Sequence, residues 1–140
     1  MRQRLSLVTL GVRDIARARR FYEEGLGWHC DFGQDDVAMY QTGGMVFSLF
    51  EWPKLAQDAG VSADSSGFRG VTLAFNTRSK DEVHAVIEEA RAAGAKIMVE
   101  PHDTFWGGYG AYFADPDDHL WEVAWNPYWT IDEEGNVSLT

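Results

Sequence analysis

Two stretches of this chain carry the same succession of strand and helix signals, and that repetition limits the fold more than any single motif. Leu5 to Val12 is short, apolar and β-rich and stops at Arg13-Asp14. A helix follows in which Ile15, Ala18, Phe21, Tyr22 and Leu26 share one stripe, with Asp14 placed to cap it and Gly25 and Gly27 to close it. Three strands are expected next, at Trp28 to Phe32, Val37 to Gln41 and Met45 to Phe50, joined by turns at Gly33 to Asp36 and Thr42-Gly43-Gly44. The second half repeats the order. Gly70 to Thr77 reads as a strand, and Ser79-Lys80-Asp81-Glu82 is a capping box opening a helix with Val83, Val86, Ile87 and Ala90 on one stripe, ended by Gly94. Lys96 to Glu100, Tyr109 to Ala114 and His119 to Trp125 supply its three further strands. Each half is βαβββ.

The repeat shows in letters as well. Leu7-Val8-Thr9-Leu10 lies over Gly70-Val71-Thr72-Leu73, and Gly44 to Pro53 lies over Asp118 to Pro127 with the closing proline aligned. With 140 residues the chain is one α+β domain: module 1 at about 4–53, a connector at 54–67, module 2 at about 68–127 and an acidic tail at 128–140, read as loosely held. The connector lacks sustained periodicity and offers a single helical turn, Leu55 with Ala59.

Twelve Lys and Arg against 22 Asp and Glu give a net charge of -10, which opposes binding to nucleic acid or to anionic membranes. No apolar stretch approaches a membrane span and no secretory segment follows Met1-Arg2-Gln3-Arg4, so the expectation is a cytoplasmic protein. The one cysteine, Cys30, rules out an intramolecular disulfide and a cysteine-rich zinc site. No Ser-His-Asp set, P-loop or dinucleotide fingerprint is present. Arg13, Arg17, Arg19 and Arg20 form a basic cluster on the first helix, read as a solvated face or a dimer rim.

The run from Trp106 to Pro127 contains the most readable turn, Asp115-Pro116-Asp117-Asp118, between two β-runs. Alternation puts Leu120, Glu122 and Ala124 on one face of the last strand and His119, Trp121, Val123 and Trp125 on the other, which is bulky enough to pack against a helix. Glu122 is therefore an acid among small and apolar neighbours, a position that needs a partner. Trp106-Gly107-Gly108-Tyr109 is a glycine-freed loop with two rings, suited either to stacking on a flat or cationic ligand or to plugging the core.

Taken together, L-V-T-L-G-V-R-D-I-A-R-A-R-R-F-Y-E-E-G-L-G-W at residues 7 to 28 and F-A-D-P-D-D-H-L-W-E-V at residues 113 to 123 resemble the vicinal oxygen chelate superfamily of glyoxalases, bleomycin-resistance proteins and extradiol dioxygenases. The resemblance implies paired βαβββ modules whose mixed sheets curl around a cavity, in a homodimer. It also implies a divalent metal held by one residue from the first and last strand of each module, which here fall on Leu7, Ser48, Gly70 and Glu122. Only Glu122 is a firm ligand, so no metal and no other cofactor is expected. The family's usual D-P-D-G turn carries Asp118 in the last place, a residue that tolerates a left-handed backbone.

Within that frame, Leu7, Thr9, Val46, Ser48 and Phe50 from module 1 are expected to line the cavity, and Gly70, Trp106, Tyr109, Ala111, Phe113 and Glu122 from module 2 to complete it. The leading expectation is a metal-independent binder of an aromatic or amphipathic small molecule, similar to the bleomycin-resistance branch, with Glu122 as polar anchor. Two alternatives stand beside it. One is a glyoxalase-like lyase or isomerase with Glu122 as general base, and the other a scaffold with a closed cavity that acts through protein partners. Glu122 also has a purely structural reading, held by a hydrogen bond or by an arginine such as Arg69.

Overall fold

The computed structural model describes residues 3, 5–64, 66–69 and 71–139 and divides into two compact units, Met1–Arg69 and Gly70–Thr140. Unit 1 begins with β1 (Leu7–Val12), followed by α1 (Ile15–Arg19), which runs on as a π-helical segment over Arg20–Gly25. Then come β2 (Phe32–Gly33), β3 (Val37–Thr42), β4 (Met45–Glu51) and α2 (Trp52–Asp58). Its sheet has the order β1-β4-β3-β2, with β1 parallel to β4 and the other pairs antiparallel.

Unit 2 repeats this with β5 (Thr72–Thr77), α3 (Lys80–Ala92), β6 (Lys96–Asp103), β7 (Tyr109–Ala114) and β8 (Leu120–Trp125), in the order β5-β8-β7-β6. The parallel pair is again first strand with last. A small hairpin, β9 (Thr130–Ile131) with β10 (Val137–Ser138), closes the chain.

The caps are where the sequence puts them. Asp14 accepts from the Arg17 amide at 2.9 Å, and Ser79 from the Glu82 amide at 3.2 Å while Glu82 accepts the Arg78 amide at 2.7 Å. The first helix, with its π-helical continuation, and α3 each bury part of their stripe on one sheet face. In unit 1, Tyr22 is fully buried with its ring 5.1 Å from Phe47, and Trp28 lies 5.3 Å from Phe47 and 5.8 Å from Tyr40. In unit 2, Val83, Ile87 and Ala90 are buried together with Ala111, Phe113 and Val123.

Several elements depart from expectation. The first helix widens into a π turn, closed by the Leu26 amide donating to the Phe21 carbonyl at 2.9 Å, which brings both Phe21 and Tyr22 into the core. Trp28 is a core ring ahead of the sheet, leaving only Phe32–Gly33 as β2. The connector folds as α2, with Pro53 in its first turn, where the missing N–H costs nothing. Trp52 and Leu55 from this helix cover Gly11 of β1.

β6 runs on to Asp103 through two register shifts, beyond the expected Glu100. The tail is tied down: the Arg78 guanidinium donates to the Asp132 carbonyl, and Tyr128 lies against Gly107. Asp118 takes the left-handed backbone the turn requires, with φ 62. Among the described residues, no helix is long and apolar enough to cross a membrane.

Candidate functional site

The ladders decide which side chains share a face. In unit 1, Leu7, Thr9 and Gly11 on β1 stand beside Val46, Ser48 and Phe50 on β4, and these beside Gln41, Met39 and Val37 on β3. Paired residues point the same way, so this set forms the face away from α1. The expected grouping of Leu7, Thr9, Val46, Ser48 and Phe50 on one face is present. Ser48 is buried at its centre, while Leu7 is 46% exposed at its edge.

In unit 2 the hairpin pairs Ala114 with Leu120, Tyr112 with Glu122 and Gly110 with Ala124. The face away from α3 therefore carries Glu122, Leu120 and Ala124 from β8, Gly110, Tyr112 and Ala114 from β7, and Thr72, Ala74 and Asn76 from β5. This corrects the expectation for Tyr109, Ala111 and Phe113, which turn towards α3. Ala111 is fully buried there, and Phe113 stacks on Trp121 at 6.2 Å. The Tyr109 hydroxyl meets His84 Nε2 of α3 at 2.9 Å, with Lys80 Nζ 5.0 Å above the ring.

Placing Tyr109, Ala111 and Phe113 on the Glu122 face requires a pairing one residue away from the one found. The loop closes from Ala114 to Leu120, with the Asp115 amide donating to the His119 carbonyl at 2.9 Å and the Asp115 carboxylate accepting from the Asp117 and His119 amides. A slip of one residue exchanges every side chain between the two faces.

The correction brings in Tyr112, which sequence reasoning passed over. It stands directly across the strand pair from Glu122; burial, then the neighbouring carboxylate charge, pushes the phenol above the ordinary tyrosine range. The neighbours of this pair on that face are Ala74, Gly110, Ala114 and Ala124, with the larger Leu120 beside Glu122 and Val99 of β6 paired with Tyr112. Arg69, considered as a partner for Glu122, lies with its guanidinium 5.0 Å over the Trp52 ring, which Arg13 also approaches at 5.5 Å.

At the Gly110 end, the turn after β6 is held by the Thr104 amide donating to the Gly108 carbonyl and the Gly108 amide donating to the Thr104 hydroxyl, both at 3.0 Å. Trp106 folds back so that its ring occupies the space a Cβ on Gly108 would need, and the preceding Phe105 is 100% exposed.

The residues at the family's metal positions do not suit a divalent ion. Leu7 has no donor atom, Ser48 offers a buried hydroxyl, Gly70 lies outside the described residues, and Glu122 alone brings a carboxylate. The ladder also shifts the equivalence. Leu7 stands beside Val46, two residues before Ser48, and its counterpart in unit 2 is Thr72, beside Leu120 and two residues before Glu122. A threonine hydroxyl is no better a ligand. Among the described residues, no three His, Cys, Asp or Glu side chains gather in a way that could hold a metal ion.

Comparisons with known proteins agree with this architecture. A search among curated proteins returned no match. Among solved structures, a glyoxalase-related enzyme from Fulvimarina pelagi superposes with a TM-score of 0.91 at 36% identity, covering 98% of each chain. A glyoxalase/bleomycin resistance protein/dioxygenase family enzyme from Burkholderia phytofirmans PsJN gives 0.74 at 25% identity, covering 86% of this chain and 96% of the other. A lactoylglutathione lyase from Agrobacterium tumefaciens shares the fold at 16% identity and a TM-score of 0.67, covering 89% and 95%. The family profile matches residues 4–123, so the chain belongs to the Glyoxalase/Bleomycin resistance protein/Dioxygenase superfamily.

Proposed function

We infer that this protein binds a small organic molecule without a metal ion, in the manner of the bleomycin-resistance branch of its superfamily. The observation that carries the reading is the Glu122–Tyr112 pair on the face away from α3, with alanine or glycine at four of its neighbouring positions. Small residues leave room for a ligand above the sheet, the Trp106 indole is proposed as a flat apolar wall, and the carboxylate supplies one polar anchor. With a net charge of -10 and a carboxylate as that anchor, an aromatic or amphipathic cation is the ligand class best suited. In unit 1 we propose Leu7, Thr9, Val46, Ser48 and Phe50 as that sheet's own ligand-facing row. A cytoplasmic homodimer completes the proposal.

Titration with a panel of cationic and neutral aromatic compounds, followed by tryptophan fluorescence, tests it. Binding of cationic members is expected, weakened in Trp106→Ala and lost in Glu122→Gln. A panel without response, or unchanged affinity in both variants, overturns the reading. Light scattering of the purified protein tests the dimer.

A second reading is favoured by the 36% identity to a glyoxalase-related enzyme. Glu122 would then act as a general base beside a carbonyl, with the neutral Tyr112 as hydrogen-bond donor to the developing oxyanion. Turnover of an α-ketoaldehyde adduct that disappears in Glu122→Gln, with folding intact, would favour the enzyme over the binder.

A further inference from the structure

The face of unit 2 away from α3 carries charge of both signs, and the register of its edge strand puts it there. Lys96 pairs with Ala114, Val99 with Tyr112 and His102 with Gly110, so all three share the face of Glu122. Lys96 and Val99 stand three residues apart and would point opposite ways in a regular strand; the register shift between Ile97 and Val99 brings them to one side. The β6 rim of this face thus reads Lys96, Val99, His102, and its centre, two strands in, is Glu122.

Neither charge is matched within unit 2. Lys80 pairs with Asp103 at 2.6 Å, and Arg91 with Glu88 and Glu100 at 3.3 and 3.0 Å, but among the described residues no acid forms an ion pair with Lys96 and no base with Glu122. Ideal strand spacing and rise place the two Cα atoms about 12 Å apart, too far for the side chains to meet while both stand off the sheet. The ground between them is uncharged: Ala114 and Tyr112 on β7, with Val99 at the rim 41% exposed. His102 is engaged with its own strand, its Nδ1 3.0 Å from the Glu100 carbonyl.

Resting on the ligand-binding reading above, we propose that the bound cation also carries a carboxylate, making the ligand a zwitterion of the ω-amino-acid or short-peptide class with its charges at opposite ends of an apolar spacer. The ammonium meets Glu122, the carboxylate meets Lys96, and the spacer lies across Tyr112 and Val99. A simple monocation at Glu122 leaves Lys96 facing it as a like charge, whereas a carboxylate at the far end turns that repulsion into attraction. A simple anion fares worse, since Glu122 and the chain's net charge of -10 oppose it until an ammonium arrives on the same molecule. Lys96 suits this part because its ammonium is a point charge on a flexible stem, free to follow spacers of different length.

The test uses the full chain at low ionic strength and probes that share one ring: 4-(aminomethyl)benzoate, benzylammonium and 4-methylbenzoate. Calorimetry is expected to show 4-(aminomethyl)benzoate binding about tenfold more tightly than benzylammonium, with 4-methylbenzoate the weakest. In Lys96→Met that gap should shrink below about threefold while benzylammonium binds at least as tightly as before. Lys96 is an exposed side chain at the end of an edge strand, so the variant keeps the fold, which circular dichroism checks. In Glu122→Gln affinity for both ammonium probes should fall. Benzylammonium that binds and is weakened in Glu122→Gln, with a zwitterion no tighter or a gap that survives Lys96→Met, overturns the zwitterion and leaves the cation-binding reading in place. Absence of binding by either ammonium probe overturns both.

Discussion

The two units share a ladder and differ in what they put on it. The middle row of unit 1 away from its helix reads Met39, Ser48, Thr9, and the corresponding row of unit 2 reads Tyr112, Glu122, Ala74. On the opposite faces the units agree in being apolar: buried Ala38, Leu49 and Leu10 in one, buried Ala111 and Val123 with the exposed Phe75 in the other. A duplicated scaffold thus keeps its apolar side and varies its other side. Burial separates the two varied rows from each other, since Ser48 at the centre of one is buried while Glu122 and Tyr112 at the centre of the other are only partly so.

Exchanging the central residues probes that contrast most severely. Ser48 is 1% exposed, so Ser48→Glu buries an uncompensated charge and should cost about 3–5 kcal/mol in urea denaturation. Glu122→Ser, on the half-exposed row, should change stability by less than about 1 kcal/mol. If Ser48→Glu folds as stably as the wild type, the two rows are not different environments.

The two tyrosines give the next test. Tyr40 is 1% exposed, and Tyr40→Phe removes a donor to a carboxylate, an expected loss of about 1–3 kcal/mol. Tyr112→Phe, on the half-exposed row, should cost less than about 1 kcal/mol.

Titration separates the units in the same way. Burial, then the hydrogen bond and charge of Glu23, raise the Tyr40 phenol above its ordinary value of 10.0, so its contribution is complete below that pH and is lost as alkali ionises it. Glu23 moves in the opposite direction. Its burial works upwards, but the hydrogen bonds from Arg19 and Tyr40 outweigh it and hold the group below its ordinary 4.5. Its stabilisation is therefore present above that pH and declines in acid. Melting temperatures across pH should fall at both extremes, with both slopes reduced in Tyr40→Phe and the alkaline slope alone reduced in Tyr112→Phe.

The smallest effect concerns the helix starts, where the units should be equal. Asp14→Ala and Ser79→Ala should each cost about 1 kcal/mol. A large inequality between them would mean that one helix is held by its cap and the other by its packing.

The sequence discloses most of this plan, for identifiable reasons. Caps, apolar stripes and strand alternation are local signals, so Asp14, Ser79 and the shared face of Thr9 with Ser48 are readable in advance. The β7–β8 register is not local in that sense. Gly110 to Ala114 carries apolar or small groups on both sides, so the pattern gives no penalty for a slip, and the closing pair is chosen by the Asp115 hydrogen bonds instead. That single step moved Tyr109, Ala111 and Phe113 off the Glu122 face and put Tyr112 on it. The helix α2 was passed over because it spans only Trp52–Asp58 and has no side-chain cap. The π turn has no compositional mark, being a matter of which carbonyl the Leu26 amide selects.

Gly108 carries a consequence for measurement. Because a side chain at that position would meet the Trp106 ring on one side and the Trp125 carbonyl at 2.7 Å on the other, a single methyl group, Gly108→Ala, should force the indole off its seat. The position then works as a one-atom latch on an intrinsic chromophore. The emission maximum of Trp106 in that variant calibrates what an undocked ring looks like, so the optical change caused by a ligand can be read as displacement or as contact.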